Sequence, residues 1–284
     1  MKPLSELTLV ICGIVRDAER GLKHNIPVID ELTRMIKDYR IVMYENDSKD
    51  GTKEVLRRWH ERDPLRIHVC LNDSDAGKTT PSAGEVACNP FYSRKRISKM
   101  ARLRNHYMAY VEEAKWTGDL LMVVDMDVAQ LHLDGILDTL RAPQSWDAVV
   151  ANGYSTSPRL RRRYHDTYAL TLWGDEKQPQ TERKIKDLAD KFGRLSPKDP
   201  WVRVASGFGG LALYKMEAVR GLRYEALPNE DPRVEVKCEH FSLYQQMMQR
   251  GYDRFYINPA MTLHYQRLTP RIVWRSLMRT LTNR

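Results

Sequence analysis

Apolar runs of strand length alternate with helical patterns along the first half of the chain. The runs are Thr8 to Val15, Arg40 to Tyr44, Arg66 to Leu71 and Asp119 to Val124. Between the first two runs, apolar residues from Ile26 to Ile36 recur at helical spacing, and residues 53–61 and 97–116 have similar patterns. Strands that alternate with helices predict an α/β fold with a mostly parallel sheet flanked by helices.

The second half of the chain is less regular. Strand patterns are present at residues 201–205, 211–214 and 254–258, and helical patterns at 181–192 and 238–250. Gly251 is placed to end the last helix. The polar stretch 72–96 and most of residues 155–200 have no clear assignment. With 284 residues, the chain suits a single large domain.

Composition and charge narrow the class of protein. Hydrophobic residues make up 42% of the chain and charged residues 29%, as in ordinary globular proteins. We find neither a bilayer-length apolar run nor a signal peptide, and four scattered cysteines suit a reducing compartment, so we expect a cytoplasmic protein. The net charge of +9 is compatible with phosphorylated substrates, anionic membranes or nucleic acid. Because no nucleic-acid motif is present, we expect no nucleic-acid partner.

Two acidic residues follow the apolar run that ends at Val124. Asp125 and Asp127 alternate along an extended backbone, so their carboxylates point the same way. Ligands of open α/β sheets bind at the carboxyl ends of strands, where this pair lies. A hard divalent cation would relieve the repulsion between the two carboxylates. The alternative is a solvated turn with two unrelated acids.

A polar turn, residues 44–52, follows the second predicted strand. Glu45, Asn46 and Asp47 could present hydrogen-bond acceptors to a nucleobase or ribose at the same edge of the sheet. Alternatively, these side chains hold their own backbone, as is common in turns.

The ordered motifs resemble the GT-A glycosyltransferases. They are Arg16-Asp17, the turn ENDSKDGT, Leu103-Arg104-Asn105, Asp125-Met126-Asp127, the segment SGFGGLALY, Cys238-Glu239-His240 and Leu263-His264. The turn is especially similar to that of the fungal capsule-associated α-1,3-mannosyltransferase family, and the general order resembles family 2 glycosyltransferases. The resemblance implies a Rossmann-like GT-A fold and metal-dependent sugar transfer from a nucleoside-diphosphate donor, either GDP-mannose or a UDP-sugar. The acceptor would be a glycan or lipid-linked glycan.

The resemblance and the polar turn together suggest a nucleotide-sugar site. Its expected members are Gly13, Arg16, Glu45, Asn46, Asp47, Arg104, Asn105, Asp125 and Gly209. Arg102 competes with Arg104 for the same role, and the glycines around Gly209 could equally form a plain tight turn. The implied metal ligands are Asp125, Asp127 and His264, with Mn²⁺ or Mg²⁺ as the cofactor, although a late histidine is more often structural.

Glu239 and His240 are the candidate catalytic residues. Family 2 enzymes have a Glu-Asp pair at the matching place, whose Asp is the general base. Here the pair is Glu-His, so either residue could serve, and an acid at this helix start could simply be a cap. The stereochemistry stays open, because capsule-type mannosyltransferases are retaining and need no such base.

We expect one GT-A domain over residues 1–268, with a nucleotide-sugar-binding half at 1–150 and an acceptor-binding half at 151–268. Residues 269–284 have a basic amphipathic helical pattern, which could contact a membrane surface or pack on the domain. Two other functions stay open: a nucleotidyltransferase acting on a sugar phosphate, and a catalytically silent carbohydrate-binding protein. The first usually needs a Gly-rich phosphate loop that Gly13 to Arg16 does not provide. The second would not need both the acid pair and the nucleotide turn.

Overall fold

A computed structural model describes residues 2–72, 88–157 and 161–266, together with Pro270, Trp274 and Met278. The strands are β1 (Thr8–Val15), β2 (Asp38–Asn46), β3 (Ile67–Asn72), β4 (Leu120–Val124), β5 (Gln130–Leu131), β6 (Ala148–Thr156), β7 (Arg162–Tyr164), β8 (Thr171–Leu172), β9 (Val202–Ser206), β10 (Leu211–Lys215) and β11 (Phe255–Gln266). The helices are α1 (Glu19–Arg34), α2 (Thr52–Arg62), α3 (Arg94–Glu113), α4 (Leu133–Arg141), α5 (Glu182–Phe192), α6 (Met216–Val219) and α7 (Glu239–Gln249).

The strands form one mixed sheet in the order β3-β2-β1-β4-β10-β6-β11-β9-β8, with β5 beside β11 and β7 beside β6. The first four strands of this order are parallel, as their alternation with helices predicts. Strand β10 is antiparallel to both of its neighbours, and β11 is parallel to β6. The predicted mostly parallel sheet in a single domain is therefore confirmed, with antiparallel strands added in the second half.

Apolar side chains cover both faces of the sheet. On one face, Val10 and Cys12 of β1 belong to a core that also includes residues of α3, α5 and α7. On the other face, Leu9 and Ile11 belong to a core that also includes residues of α1, α2 and α4. Strands buried on both faces have continuous apolar sequences, which explains the unbroken runs in the sequence.

Several predicted bounds differ from those observed. Strand β11 extends to Gln266, past the predicted end at Asn258, and its register with β6 shifts between Asn258 and Thr262. The bulge lets the strand continue, so His264 lies inside β11 rather than after it. Strand β6 runs into residues 155 and 156, which had no assignment in the sequence.

The predicted C-terminal helix lies mostly outside the described residues. Pro270, Trp274 and Met278 are helical and exposed. The division between residues 1–268 and 269–284 therefore stays a prediction. In the part of the chain that is described, no helix combines the length and the apolar character that crossing a bilayer requires.

Candidate active site

A cleft of about 700 Å³ opens at the carboxyl end of the parallel strands. The predicted site residues that line it are Arg16, Asn46, Arg104, Asp125, Asp127, Glu239 and His240. The ends of β1, β2 and β4 contribute Arg16, Asn46, Asp125 and Asp127, because parallel strands bring the residues that follow them to one edge of the sheet. Helix α3 contributes Arg104, and helix α7 contributes Glu239 and His240. The cleft draws on both predicted halves of the domain.

Asp125 and Asp127 form the acidic wall of the cleft. Asp125 is 21% exposed in its side chain, and its backbone N–H donates to the Gly210 carbonyl at 2.9 Å. Burial and the neighbouring charge of Asp127 raise the pKa of Asp125 well above its usual range, although Arg104 opposes the shift. Asp127 exposes surface to the cleft, yet the dense surroundings still raise the pKa of its carboxyl by desolvation.

The acid pair fits a divalent cation that also binds a ligand. Both residues offer carboxylate oxygens, which Mg²⁺ and Mn²⁺ prefer. Within residues 2–72, 88–157 and 161–266, no set of three acidic, His or Cys side chains converges to hold a metal. Two carboxylates complemented by phosphate oxygens would suffice, since such cations rarely need an all-protein cage.

The loop that carries the acids is held from behind by helix α1. The Asn25 amide donates to the carbonyls of Met126 and Val128 at 3.3 and 2.7 Å, and its oxygen accepts from the Leu131 N–H at 3.0 Å. A Cβ on Gly21 would lie 2.4 Å from the Met126 oxygen. Close approach of α1 thus requires glycine here. The sequence pattern did not identify either residue.

Arg104 is the buried cation of the cleft. Its Nε donates to Glu239 Oε1 at 3.0 Å, and its Nη2 lies 3.8 Å from Asp125 Oδ1. Its guanidinium lies over the ring of Phe208 at 4.8 Å. Nη1 is buried and has no hydrogen-bond partner among the described residues, so it can still donate to a ligand. The competing Arg102 is exposed and does not line the cleft.

The polar turn, residues 44–52, is stabilised by hydrogen bonds between its own residues, and one of the three predicted site residues in it lines the cleft. Glu45 is fully buried and accepts from the Ser48 N–H at 2.6 Å, and Asp47 is 7% exposed with a φ of 54°. Only Asn46 of the three predicted residues lines the cleft. The turn is fastened to the end of β1, where Asp17 accepts from the Lys49 N–H at 2.7 Å.

Three other predicted nucleotide-sugar residues do not line the cleft. The Asn105 side-chain amide hydrogen-bonds to the backbone of Tyr224: its Nδ2 donates to the Tyr224 carbonyl at 3.0 Å, and its Oδ1 accepts from the Tyr224 N–H at 2.8 Å. A Cβ on Gly13 would meet the Val124 oxygen at 2.5 Å, and one on Gly209 would meet the Ala151 oxygen at 2.3 Å. The structure therefore gives these three residues packing roles and does not bring them to the cleft.

The structure does not bring His264 to the cleft either. Its ring stacks on Tyr154 with centroids 4.9 Å apart, whereas the adjacent Tyr265 lines the cleft. Neighbouring residues of a strand point to opposite faces, which accounts for the difference. Of the three residues expected to bind metal, Asp125 and Asp127 lie together in the cleft.

Glu239 and His240 lie at the buried floor of the cleft, 3% and 1% exposed. The His240 ring stacks on Phe208 with centroids 4.1 Å apart, and burial holds its pKa well below the usual value. Neither ring nitrogen has a hydrogen-bond partner within the described parts of the chain. A neutral imidazole with two unused polar atoms is suited to sugar hydroxyl groups.

Sequence reasoning missed several residues that line the cleft. Arg96 and Lys99 lie three residues apart on α3, about one helical turn, and line the cleft together with Arg104. His165 and Asp166 come from the stretch that had no assignment. The His165 ring stacks on Tyr265 with centroids 3.4 Å apart. No spacing signal marks these two in the sequence.

The model of the family described as Cryptococcal mannosyltransferase 1 matches residues 8–243, and the chain belongs to this family. The expectation of a hexosyltransferase is confirmed at the level of the family. No curated protein sequence matches the chain.

Solved structures with similar backbones have low sequence identity. Mannosyltransferase PcManGT from Pyrobaculum calidifontis, in complex with GDP-Man and Mn²⁺, is 14% identical with a TM-score of 0.48, and the match covers 98% of this chain and 62% of that one. S. aureus TarS 1–349 with UDP-GlcNAc is 9% identical with a TM-score of 0.49, covering 94% and 60%. This chain thus spans less than two thirds of either protein. Because the sequence identities and TM-scores are this low, the ligands bound in those two structures are not attributed to this chain.

A third similar structure is glucosyl-3-phosphoglycerate synthase from Mycobacterium tuberculosis, in complex with Mn²⁺, UDP and glucosyl-3-phosphoglycerate. It is 13% identical with a TM-score of 0.44, and the match covers 97% of this chain and 77% of that one.

Proposed function

We propose that this protein transfers a hexose from a nucleoside-diphosphate donor to a hydroxyl group of a glycan or lipid-linked glycan, with Mn²⁺ or Mg²⁺ as the cofactor. Family membership favours mannose, so GDP-mannose is the first donor to test and UDP-sugars the second. The observation that carries the proposal is one cleft that is lined both by the Asp125–Asp127 pair and by three basic residues, Arg16, Arg96 and Lys99.

The charges of the cleft suit a nucleoside diphosphate. Asn46 and Arg16, at the ends of β2 and β1, would contact the nucleoside and its first phosphate. Arg96 and Lys99 would pair with diphosphate oxygens from the α3 side. Asp125 and Asp127 would hold the divalent cation, which offsets the negative charge that the leaving diphosphate gains.

The floor of the cleft suits the sugar. Arg104 Nη1 and both nitrogens of His240 are buried without hydrogen-bond partners among the described residues. Buried polar groups left unpaired cost about 1–3 kcal/mol each, so hydroxyl groups of a bound hexose would stabilise them. Glu239 would orient Arg104 through the 3.0 Å hydrogen bond. We therefore assign His240 to sugar binding and Glu239 to positioning, rather than to the role of base.

A lipid-linked acceptor would bring the protein to a membrane surface from the cytoplasm. Trp274 and Met278 are 65% and 42% exposed, one helical turn apart. Aromatic and apolar residues beside basic ones are typical of helices that lie on anionic bilayers. Peripheral membrane contact and the cytoplasmic location are part of this proposal.

Donor turnover tests the proposal. Purified protein would be incubated with Mn²⁺ and each of a panel of GDP- and UDP-sugars, and the released nucleoside diphosphate measured. Slow hydrolysis of one donor, accelerated by a glycan acceptor, supports a glycosyltransferase. Release of pyrophosphate from a nucleoside triphosphate and a sugar phosphate would indicate a nucleotidyltransferase instead. Saturable sugar binding without any turnover would indicate a silent binding protein.

A further inference from the structure

Phe91 exposes an apolar ring in the cleft. The residue is 51% exposed, and of the large apolar side chains that are exposed in the described part of the chain, it is the one that lines the cleft. Single exposed apolar residues are common on open surfaces. Inside a cleft they have another meaning, because ligand sites combine aromatic side chains with a few polar groups.

The turn that carries Phe91 is fixed by hydrogen bonds. Residues Pro90–Tyr92 form one turn of 3-10 helix, and the Phe91 N–H donates to the Asn89 side-chain oxygen at 3.0 Å. The Phe91 carbonyl accepts from Arg96 Nη1 at 2.9 Å. The Asn89 N–H donates to the Arg233 carbonyl at 3.1 Å. Because the backbone is already held, little conformational freedom is lost when a ligand binds to the ring.

The surroundings of Phe91 place it on the side of the cleft away from the proposed nucleoside position. Tyr92 packs edge-to-face against Phe91, with centroids 5.1 Å apart, and also contacts Tyr168 at 4.7 Å. Tyr168 belongs to the predicted acceptor-binding half and lines the cleft. Arg16 and Asn46, to which we assign the nucleoside, lie at the ends of β1 and β2 in the other half.

The ring and its neighbours suit one face of a sugar. The Arg96 guanidinium lies over the ring, 4.1 Å from its centroid, and the surface that stays exposed is available to a ligand. The C–H groups on one face of a pyranose carry partial positive charge, which matches the negative face of a phenyl ring. Asp166 also lines the cleft, within electrostatic range of Arg96, and offers hydrogen-bond acceptors to sugar hydroxyl groups.

We propose that Phe91 is the stacking platform for the acceptor, so that the unit that receives the hexose is itself a sugar whose pyranose ring packs on the phenyl ring. This inference rests on the proposed glycosyltransferase function and narrows the acceptor to a saccharide, either free or at the end of a longer glycan. The platform binds and orients the acceptor and takes no part in bond making. The inference therefore does not depend on the stereochemical course of the transfer.

The inference is tested by measuring transfer to a panel of soluble mono- and disaccharides with Phe91→Ala, Phe91→Leu and Phe91→Tyr. We expect the acceptor KM to rise about tenfold in Phe91→Ala, the scale of burying half a phenyl side chain. The value of kcat should stay near wild type, because the contact is made equally before and during transfer. Phe91→Leu loses the flat ring and should resemble Phe91→Ala, whereas Phe91→Tyr should resemble wild type. The donor KM and donor hydrolysis should be unchanged.

Trp173→Ala is the matched control. Trp173 is 39% exposed, and the Arg203 guanidinium lies 3.7 Å from the centroid of its ring, but it does not line the cleft. This variant also loses an exposed aromatic ring that is paired with an arginine. It should keep the wild-type acceptor KM.

Three results would overturn the platform: an unchanged acceptor KM in Phe91→Ala, an equal rise in Trp173→Ala, or a raised donor KM in Phe91→Ala, which would place the ring against the nucleoside. Donor hydrolysis by wild type without transfer to any saccharide of the panel would exclude a sugar acceptor. An active wild type with equally active Phe91 variants removes only this inference. A wild type that turns over no donor removes the proposed function as well.

Discussion

Arg104 and Glu239 join two helices at the floor of the cleft, with Nε and Oε1 3.0 Å apart and both side chains at most 5% exposed. Arg104 comes from α3 and Glu239 begins α7, 135 residues later. The same guanidinium reaches towards Asp125, so it lies between the acidic wall and the sugar floor. One buried cation thereby organises three elements of the site.

Replacement of Arg104 by lysine should damage both stability and donor use. Lysine keeps the charge but cannot reproduce the planar donor geometry or the stacking on Phe208. Because a lysine cannot reproduce the Nε hydrogen bond, the buried Glu239 carboxylate would be left incompletely hydrogen-bonded, and we expect a loss of about 1–3 kcal/mol in the free energy of unfolding. Urea denaturation measures it, with the exposed Arg102→Lys as control. Equal unfolding midpoints for Arg104→Lys and wild type would contradict this role.

Substitution of Gly21 by alanine should displace the acid-bearing loop. The added Cβ would lie 2.4 Å from the Met126 oxygen and 2.9 Å from the Asp127 Cα, both backbone atoms. We expect transfer to fall more than about tenfold, the scale of a lost orienting interaction at a metal site. Gly118→Ala is the control, because its nearest neighbour is a side-chain atom at 3.3 Å. Unchanged kcat and Mn²⁺ dependence in Gly21→Ala would show that the loop position is unimportant.

Asp147 should contribute stability that depends on pH. Its side chain is 1% exposed and accepts from Arg254 at 2.6 and 3.0 Å, and these hydrogen bonds outweigh burial and keep its pKa below the usual value. A lowered folded-state pKa means that the stabilisation is present above the unfolded-state pKa, about 3.9, and is lost as the pH falls through the folded-state value. Asp147→Asn should therefore be less stable at pH 7.

Unfolding free energies measured at pH 7 and near pH 3 test this prediction. The difference between wild type and Asp147→Asn should shrink at the lower pH. A difference that is constant across this range would exclude a charge effect at Asp147.

Removal of residues 269–284 should weaken binding to anionic liposomes without lowering activity on a soluble acceptor. The expectation follows from the basic amphipathic pattern of the sequence and the exposed Trp274. Flotation with anionic vesicles measures it, and neutral vesicles are the control. Equal flotation of the truncated and full chains would favour a helix that packs on the domain.

The sequence was sufficient to predict the parallel half of the sheet and the acidic wall. Continuous apolar runs ending in polar residues place Asn46, Asp125 and Asp127 at one edge, because parallel strands share a carboxyl end. Arg104 and Glu239 were found through their resemblance to known motifs. The pattern alone gave no indication that they pair with each other, since long-range pairing leaves no local periodicity.

Other features depend on tertiary contacts that the sequence does not display. Asn105 and Gly209 have the residue types of a binding site, yet the fold uses them for the Tyr224 backbone and for close packing on Ala151. Asp166 lies in the cleft only because β7 pairs with β6, and β7 is just three residues long. So short a strand has too few positions to show an alternating pattern.

We expect sugar transfer to require Asp127 and a divalent cation, and the most direct test follows labelled mannose from GDP-mannose to an acceptor. The assay would compare wild type and Asp127→Asn, each with Mn²⁺ and with excess EDTA. We predict transfer by wild type with Mn²⁺, near-complete loss with EDTA, and near-complete loss in Asp127→Asn even with Mn²⁺. Full transfer in EDTA, or by the Asp127→Asn variant, would contradict the account.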